Sequence, residues 1–382
     1  MSGQVVTTSP LSIGDFRALA ALGSQPAPSL DPVRPTWIFG TGSFGRALAR
    51  ALGVHGIPVS GFVQTSPAGR SVDDLPVVDW ATLRAQHGDV QIVLGIFNRD
   101  MPQDQLVALA LDHGFPPPVL PQQLFERVAP TMGWRYWLAP RSHLVSHLPR
   151  VARLATRLAD DDSRTTLFRV VAFRLGLDAA FSSVRSADPQ YFNRLTIPHL
   201  LRRAGYLTYV DGGAFDGDSY RQLREIIAAR CQLAILLEPD PANYTALVQS
   251  VAGDPAALCL PAAISDRHAL LSFSGGQGEA SAVGAAGGSQ VVSLALDDVL
   301  PFGRADFIKL DVEGGELAAL MGARRLITRE RPLLAFSLYH RPEDLWVLPE
   351  LLLEWGDGYD LFLRQHQFNS FDLVCYAIPR TP

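Results

Sequence analysis

Leu207-Thr208-Tyr209-Val210, running into Asp211-Gly212-Gly213-Ala214-Phe215-Asp216-Gly217-Asp218, decides how the C-terminal half of this 382-residue chain folds. The first four residues are β-rich. The next eight combine glycines that tolerate tight dihedrals with acids that favour a helix start. A strand, a short turn and a helix in that order form one unit of an open parallel sheet, whose ligands sit beyond the carboxyl ends of its strands. Working outward, Leu233–Leu237, Leu258–Leu260, Phe307–Leu310 and Leu333–Leu338 read as further strands, with helices beginning after Asp218, Pro241 and Gly314. Leu361–Arg364 and Asp372–Ile378 close the chain as strands, with Phe368-Asn369-Ser370 as the hairpin connection between them.

The acids of the turn select its ligand. A pyrophosphate needs bare backbone N–H groups and is repelled by nearby carboxylates. Asp211, Asp216 and Asp218 suit instead a ligand with an ammonium and a sulfonium, which is S-adenosylmethionine. Glu238, at the end of the second strand, is placed to accept hydrogen bonds from both ribose hydroxyls. The cofactor-binding set is therefore Asp211, Gly212, Gly213, Asp216, Gly217, Asp218, Glu238, Pro239 and Asp311. Asp311 comes from a third element, Lys309-Leu310-Asp311-Val312-Glu313-Gly314-Gly315-Glu316, which follows a strand and faces the same crevice. Glu316, and in part Glu313, reads as helix-start charge favoured by the dipole. Lys309, alone in an apolar strand, is expected to pair with Asp297 or Asp211 in a structural role. Catalytic candidates are Asp311, His340 and Glu313. Asp311 or His340 would accept the proton of an acceptor hydroxyl. A divalent ion on Asp311 and Glu313 is an alternative, but two carboxylates one residue apart are thin evidence and no metal is assigned.

The N-terminal part reads differently. Residues 1–33 form a tail with a short helix at Ile13–Leu22. Residues 34–120 form a smaller α/β domain with strands at Trp37–Phe39, Val59–Val63 and Val90–Ile96 and helices at Arg46–Leu52 and Asp104–Asp112. Its turn, Gly40-Thr41-Gly42-Ser43-Phe44-Gly45, is a literal dinucleotide fingerprint. Val63, however, leads into Gln64-Thr65-Ser66, without the expected ribose-binding acid, and this favours a structural or docking role. Residues 121–204 are a helical connector in which Asp160-Asp161-Asp162-Ser163 separates two helices and caps the second. Residues 205–382 are the catalytic domain. Ser274–Ser289, rich in Gly, Ala and Ser, is expected to be a mobile loop. Tyr191-Phe192 would roof the site or pack in the core.

Composition narrows the class. A net charge of −5 argues against a nucleic-acid binder. No apolar run is long enough to span a membrane, and no signal peptide is evident at the start. Three scattered cysteines suggest buried thiols in a reducing, cytoplasmic setting. His143 and His147, four apart, lack a third ligand and read as a solvated face.

Asp211–Asp218, Glu238-Pro239-Asp240, Leu296-Asp297-Asp298 and Phe307–Glu316 together resemble the motifs of the FkbM family of SAM-dependent methyltransferases. Leu361-Phe362-Leu363-Arg364 and Val374-Cys375-Tyr376-Ala377-Ile378-Pro379 are similar to that family's closing strands. The resemblance covers roughly residues 190–382. It implies a Rossmann-like sheet of seven strands, the last antiparallel, and O-methylation of a hydroxyl on a sugar, glycoside or other natural product. Ala214-Phe215-Asp216-Gly217 departs from the family's commoner first motif, which carries Asn. The partner expected is a small-molecule or saccharide acceptor, and a homo-oligomer is compatible with the sequence. Two other readings stand beside this one: an NAD(P)- or sugar-nucleotide-dependent enzyme working through Gly40–Gly45, and a non-catalytic module of the same fold.

Overall fold

The computed structural model describes residues 13–274, 282–283, 289–300 and 303–380. The chain divides into two compact units, one of residues 1–156, 164–185 and 367–372, the other of residues 157–163, 186–366 and 373–382.

In the first unit, β1 (Thr36–Phe39), β2 (Val59–Val63), β3 (Ser71–Val72), β4 (Leu75–Val78) and β5 (Gln91–Leu94) form a sheet in the order β3-β4-β2-β1-β5. All are parallel except β3. Trp37, Phe39, Val63, Trp80, Leu83, Ile92 and Leu94 fill its core. The helix Ser43–Val54 follows the Gly40–Gly45 turn, and a Cβ at Gly45 would lie 2.2 Å from the carbonyl oxygen of Gly40, so helix and turn touch backbone to backbone. β3 and β4 were not anticipated. They are joined by Asp73 and Asp74, both in the left-handed region (φ 49° and 63°), a two-residue hairpin made without the glycine that normally signals one. The helices Pro121–Met132, Arg141–Ala155 and Asp161–Arg174 occupy the stretch that reads as helical, and Asp160 accepts the N–H of Ser163 as a cap.

The second unit holds β6 (Leu207–Gly212), β7 (Cys231–Leu237), β8 (Ala257–Leu260), β9 (Ala262–Ile264), β10 (Ala269–Ser274), β11 (Ala282–Val283), β12 (Ser289–Leu294), β13 (Phe307–Leu310), β14 (Leu333–Ser337), β15 (Tyr359–Gln365) and β16 (Leu373–Pro379). Seven of them form one sheet, β15-β16-β14-β13-β6-β7-β8. β16 runs antiparallel to both neighbours and the remaining pairs are parallel, as the resemblance implies. Strand order reverses at β6, whose neighbours are β7 on one side and β13 on the other. A crevice opens at such a switch point. The register sets Lys309 beside Asp211 and Leu310 beside Gly212, so the strand ends are level. Tyr209, Leu223, Leu236, Phe307 and Tyr376 pack the core beneath.

A second sheet, β11-β10-β12-β9, lies between β8 and β13 in sequence and was not foreseen. Of the expected loop Ser274–Ser289, Ser274 pairs with Ala282 and Ser289 with Phe273. The rest of that stretch, apart from Val283, lies outside the described residues. Among the described residues, no helix is long and apolar enough to cross a membrane.

Candidate active site at the ends of the parallel strands

The turn after β6 is shaped by two backbones meeting. Gly213 has φ +75°, and a Cβ there would lie 1.9 Å from the carbonyl oxygen of Asp311. Gly217 (φ +84°) ends the turn and precedes the helix Asp218–Ile227. Gly213 lets the β6 and β13 ends approach to contact distance, and Gly217 lets the turn pack against Leu247 and Ser250.

The acids of the turn divide into two kinds. Asp211 is fully buried: Lys309 Nζ lies 2.8 Å from its Oδ1, and Tyr209 Oη and Ser219 Oγ donate to its Oδ2. It is a foundation for the turn rather than an open carboxylate, and it is the partner Lys309 takes of the two expected. Burial alone would lower the Lys309 pKa, but the Asp211 and Asp311 carboxylates outweigh it and hold the ammonium above its ordinary value. Asp297, the other expected partner, accepts the N–H groups of Arg325 and Leu326 and caps the helix Arg324–Glu330. Asp216 and Asp218 lie at the helix start. Asp216 accepts the Asp218 N–H and pairs with Arg221, while Asp218 accepts the N–H of Ser219.

Glu238 sits at the end of β7 with Pro239 after it. Its two oxygens accept the N–H groups of Phe215 and Asp240 at 2.9 Å each. Burial raises its pKa, and these donors offset only part of the effect. The Asn243 side chain is a third hydrogen-bond partner of this carboxylate, which has lone-pair sites for about four donors in all. Asp240 in turn caps the helix Pro241–Ser250.

Asp311, just beyond β13, is the centre of the opposite wall. Oδ1 accepts Ser337 Oγ at 2.7 Å and Tyr339 Oη at 3.4 Å, and Oδ2 accepts Tyr191 Oη at 2.8 Å. Burial would raise its pKa, but the His340 and Lys309 charges and the hydroxyl donors hold it below the usual carboxylate value. His340 is fully buried beyond β14. Its Nδ1 lies 2.7 Å from Glu316 Oε1, and its Nε2 lies 3.5 Å from Asp311 Oδ1 and from Glu313 Oε2. Burial disfavours the imidazolium, yet the Glu316 and Glu313 charges and the Glu316 hydrogen bond outweigh it and raise the pKa to about 10. Glu316 is buried too and accepts the N–H groups of Val312 and Gly314. It is therefore both the helix-start acid expected and the partner that orients His340. The ligand atoms of Asp311, Glu316 and His340 lie within 4.8 Å of one another, and the positive charge among them is the proton on His340. Asp344, against Glu316, is raised to about 8 by burial and that charge.

The three catalytic candidates, Asp311, Glu313 and His340, are thus brought together. Tyr191, Ser337, Tyr339 and Asp344 complete the cluster and carried no catalytic signal in sequence. In the first unit, Gln64, standing where a ribose-binding acid was expected, donates from Nε2 to Thr41 Oγ1 of the Gly40–Gly45 turn at 2.7 Å.

The His340 pKa predicts a pH dependence of stability. Its folded value of about 10 lies above the ordinary 6.5, so its contribution is complete below pH 6.5 and is lost as pH rises through 10. Asp344 acts in the same direction up to about pH 8. Urea unfolding at pH 6.5, 8 and 10 is expected to show stability falling by a few kcal/mol across the window. The fall should be much shallower in His340→Gln; equal slopes in the two proteins would contradict the assignment.

Residues 211–369 match a family model described as the methyltransferase FkbM domain. A crystal structure of methyltransferase FkbM from Methylobacillus flagellatus is similar over 97% of this chain and 100% of its own, at 25% identity and a TM-score of 0.76. A methyltransferase from Podospora anserina, bound to S-adenosylhomocysteine, matches over 75% of this chain and 98% of its own, at 11% identity and a TM-score of only 0.31. No curated protein matches. With the seven-stranded sheet and the acidic strand ends in place, residues 211–369 are identified as an FkbM methyltransferase domain.

Proposed function

We propose that the protein is an S-adenosylmethionine-dependent O-methyltransferase acting on a hydroxyl of a sugar, glycoside or other natural product. The observation that carries this reading is the pair of carboxylates at the ends of the two strands that flank β6, Glu238 after β7 and Asp311 after β13, either side of the Gly213 turn. Glu238 suits a ribose diol because its carboxylate, which takes the Phe215 and Asp240 N–H groups and the Asn243 side chain, keeps accepting capacity beyond them. The acids at the helix start suit a cationic ligand. S-adenosylmethionine bound there supplies a methyl group activated as a sulfonium.

Asp311 is suited to orient an acceptor hydroxyl and take its proton. A carboxylate held below its usual pKa is a weak base toward an alcohol. As the new O–CH3 bond forms, however, the hydroxyl becomes oxonium-like and far more acidic than any carboxylic acid, so Asp311 remains a competent proton acceptor. His340, carrying a proton at neutral pH, serves by keeping Asp311 ionised rather than as the base itself. The wall is acidic, which favours a neutral polyol over an anionic acceptor. The free cysteines Cys231, Cys259 and Cys375 support the expected reducing, cytoplasmic setting.

Thermal shift with S-adenosylhomocysteine and with NAD tests the cofactor. Ligand at about 100 times its Kd stabilises by roughly 2.7 kcal/mol, which is several degrees in Tm. S-adenosylhomocysteine is expected to give that rise and Glu238→Ala to abolish it. A rise with NAD alone would instead favour the Gly40–Gly45 turn, where a Cβ at Gly42 meets nothing within 4 Å and the helix start is open. Transfer of labelled methyl to a panel of glycosides then identifies the acceptor.

A further inference from the structure

Tyr191 does more than fill the core. It is a bulky aromatic residue held at φ +62°, in the left-handed region that such residues rarely adopt. Three hydrogen bonds hold it there. Its N–H donates to Tyr376 Oη at 3.0 Å, its carbonyl accepts Thr196 Oγ1 at 2.7 Å, and its own hydroxyl donates to Asp311 Oδ2 at 2.8 Å. Its ring lies over Lys309, with Nζ 5.2 Å from the centroid.

The direction of this chain is fixed from its far end. Tyr376 Oη lies 2.7 Å from His366 Nε2. Burial pushes the His366 pKa down to about 4, so the ring is neutral at physiological pH. The ring also hydrogen-bonds the Asp188 backbone; with its proton on that side, Nε2 accepts from Tyr376 Oη, which offers a lone pair to the Tyr191 N–H. Backbone strain at a residue whose side chain reaches a candidate catalytic group is strain spent on placement.

The consequence falls on Asp311. Oδ1 already faces Ser337, Tyr339 and His340. Among the described residues, the hydrogen-bond donor to Oδ2 is Tyr191, and the Asp311 side chain keeps 24% of its surface exposed. We propose that Tyr191 is a positioning residue for the methyl acceptor: by occupying one lone pair of Asp311 Oδ2, it leaves the other as the single point at which a hydroxyl is held for methylation. This rests on the methyltransferase reading above.

The test compares wild type, Tyr191→Phe and Tyr376→Phe. S-adenosylhomocysteine affinity is expected to change less than about twofold in Tyr191→Phe, since the ring and the backbone bonds remain. The Asp311 carboxyl carbon is followed by 13C NMR in protein labelled at aspartate Cγ and assigned against Asp311→Asn. Lys309, His340 and Glu313 still face Asp311 in every variant. Loss of one hydroxyl donor to the charged form is expected to move its titration upward by about half a pH unit or more. Tyr376→Phe, which frees the loop but keeps the Tyr191 hydroxyl, should move it in the same direction by less. On an acceptor from the glycoside panel, Tyr191→Phe should lower kcat roughly tenfold or more with little change in KM. An Asp311 titration in Tyr191→Phe that overlays wild type, with cofactor binding intact, overturns the positioning role alone. Failure of wild type to bind S-adenosylhomocysteine overturns the methyltransferase reading and this inference with it.

Discussion

Gly213→Ala is expected to destabilise the C-terminal unit by roughly 3–5 kcal/mol and to abolish S-adenosylhomocysteine binding in whatever fraction remains folded. The magnitude follows from two penalties. A left-handed alanine costs roughly 1–2 kcal/mol relative to glycine. The larger part is steric. The new Cβ would stand 1.9 Å from the Asp311 carbonyl oxygen and 2.9 Å from its carbonyl carbon, both backbone atoms, and a normal contact needs more than 3 Å. Side chains can rotate away from such a clash, but two strand ends in register cannot. Asp311 N–H donates to the Gly212 carbonyl, Gly213 N–H donates to the Leu237 carbonyl, and Lys309 Nζ donates to the Gly213 carbonyl, so any retreat breaks a bond. Asp311 and the turn that precedes Glu238's partner Phe215 would move together. Gly42→Ala is the control. It sits in the better textual match to a nucleotide fingerprint, has φ −63°, and its Cβ meets nothing within 4 Å. Its effect should stay within about 0.5 kcal/mol. Urea midpoints of the two variants against wild type provide the measurement; a Gly213→Ala protein as stable as Gly42→Ala would mean that the strand ends are not in contact.

That contrast also marks what could be read from sequence. Glycine followed by acids after an apolar run identified the β6 turn, because strand period, turn chemistry and helix start are local properties. Glu238 and Asp311 were legible for the same reason: each is the first acid past a strand, and an open parallel sheet gathers such residues at one edge. The layer beneath them was not legible. Asp211 reads as an open carboxylate in sequence and is sealed in the structure, since Lys309, 98 residues later, reaches it only through the β6–β13 pairing. Glu316 reads as a helix-start acid and is one, but its hold on His340 depends on where β14 ends, which no local pattern encodes. Tyr191 precedes the first strand of its unit and carries a backbone conformation that its residue type argues against. β3 and β4 escaped because Asp73-Asp74 turn without glycine, and the β9–β12 sheet because its residues lack a clear apolar alternation.

The buried pair that sequence only half resolved should have the second-largest effect. Lys309→Met is expected to cost about 3–5 kcal/mol, the usual consequence of removing one partner from a buried ion pair. Side-chain exposure is 4% for Lys309 and 0% for Asp211, so no water replaces the lost ammonium. Tyr209 and Ser219 still donate to Oδ2, which limits the loss, but Oδ1 and the Gly213 carbonyl lose their donor together. Methionine fills the volume, so the deficit is electrostatic rather than a cavity. The double variant Asp211→Asn/Lys309→Met tests this. Asparagine keeps an acceptor for Tyr209 and Ser219 and removes the buried charge, so the double variant should recover more than half of the loss and fall well short of the sum of the two single losses. If the losses of the two single variants simply add, the pair is not what holds the turn. Cofactor binding separates foundation from ligand site. A double variant that regains stability and still gives a thermal shift with S-adenosylhomocysteine places Asp211 beneath the site. One that regains stability but loses the shift places its charge within reach of the ligand. The geometry favours the first outcome, because the Asp211 carboxylate is closed off by Lys309, Tyr209 and Ser219, whereas Glu238 keeps accepting capacity beyond its Phe215, Asp240 and Asn243 donors.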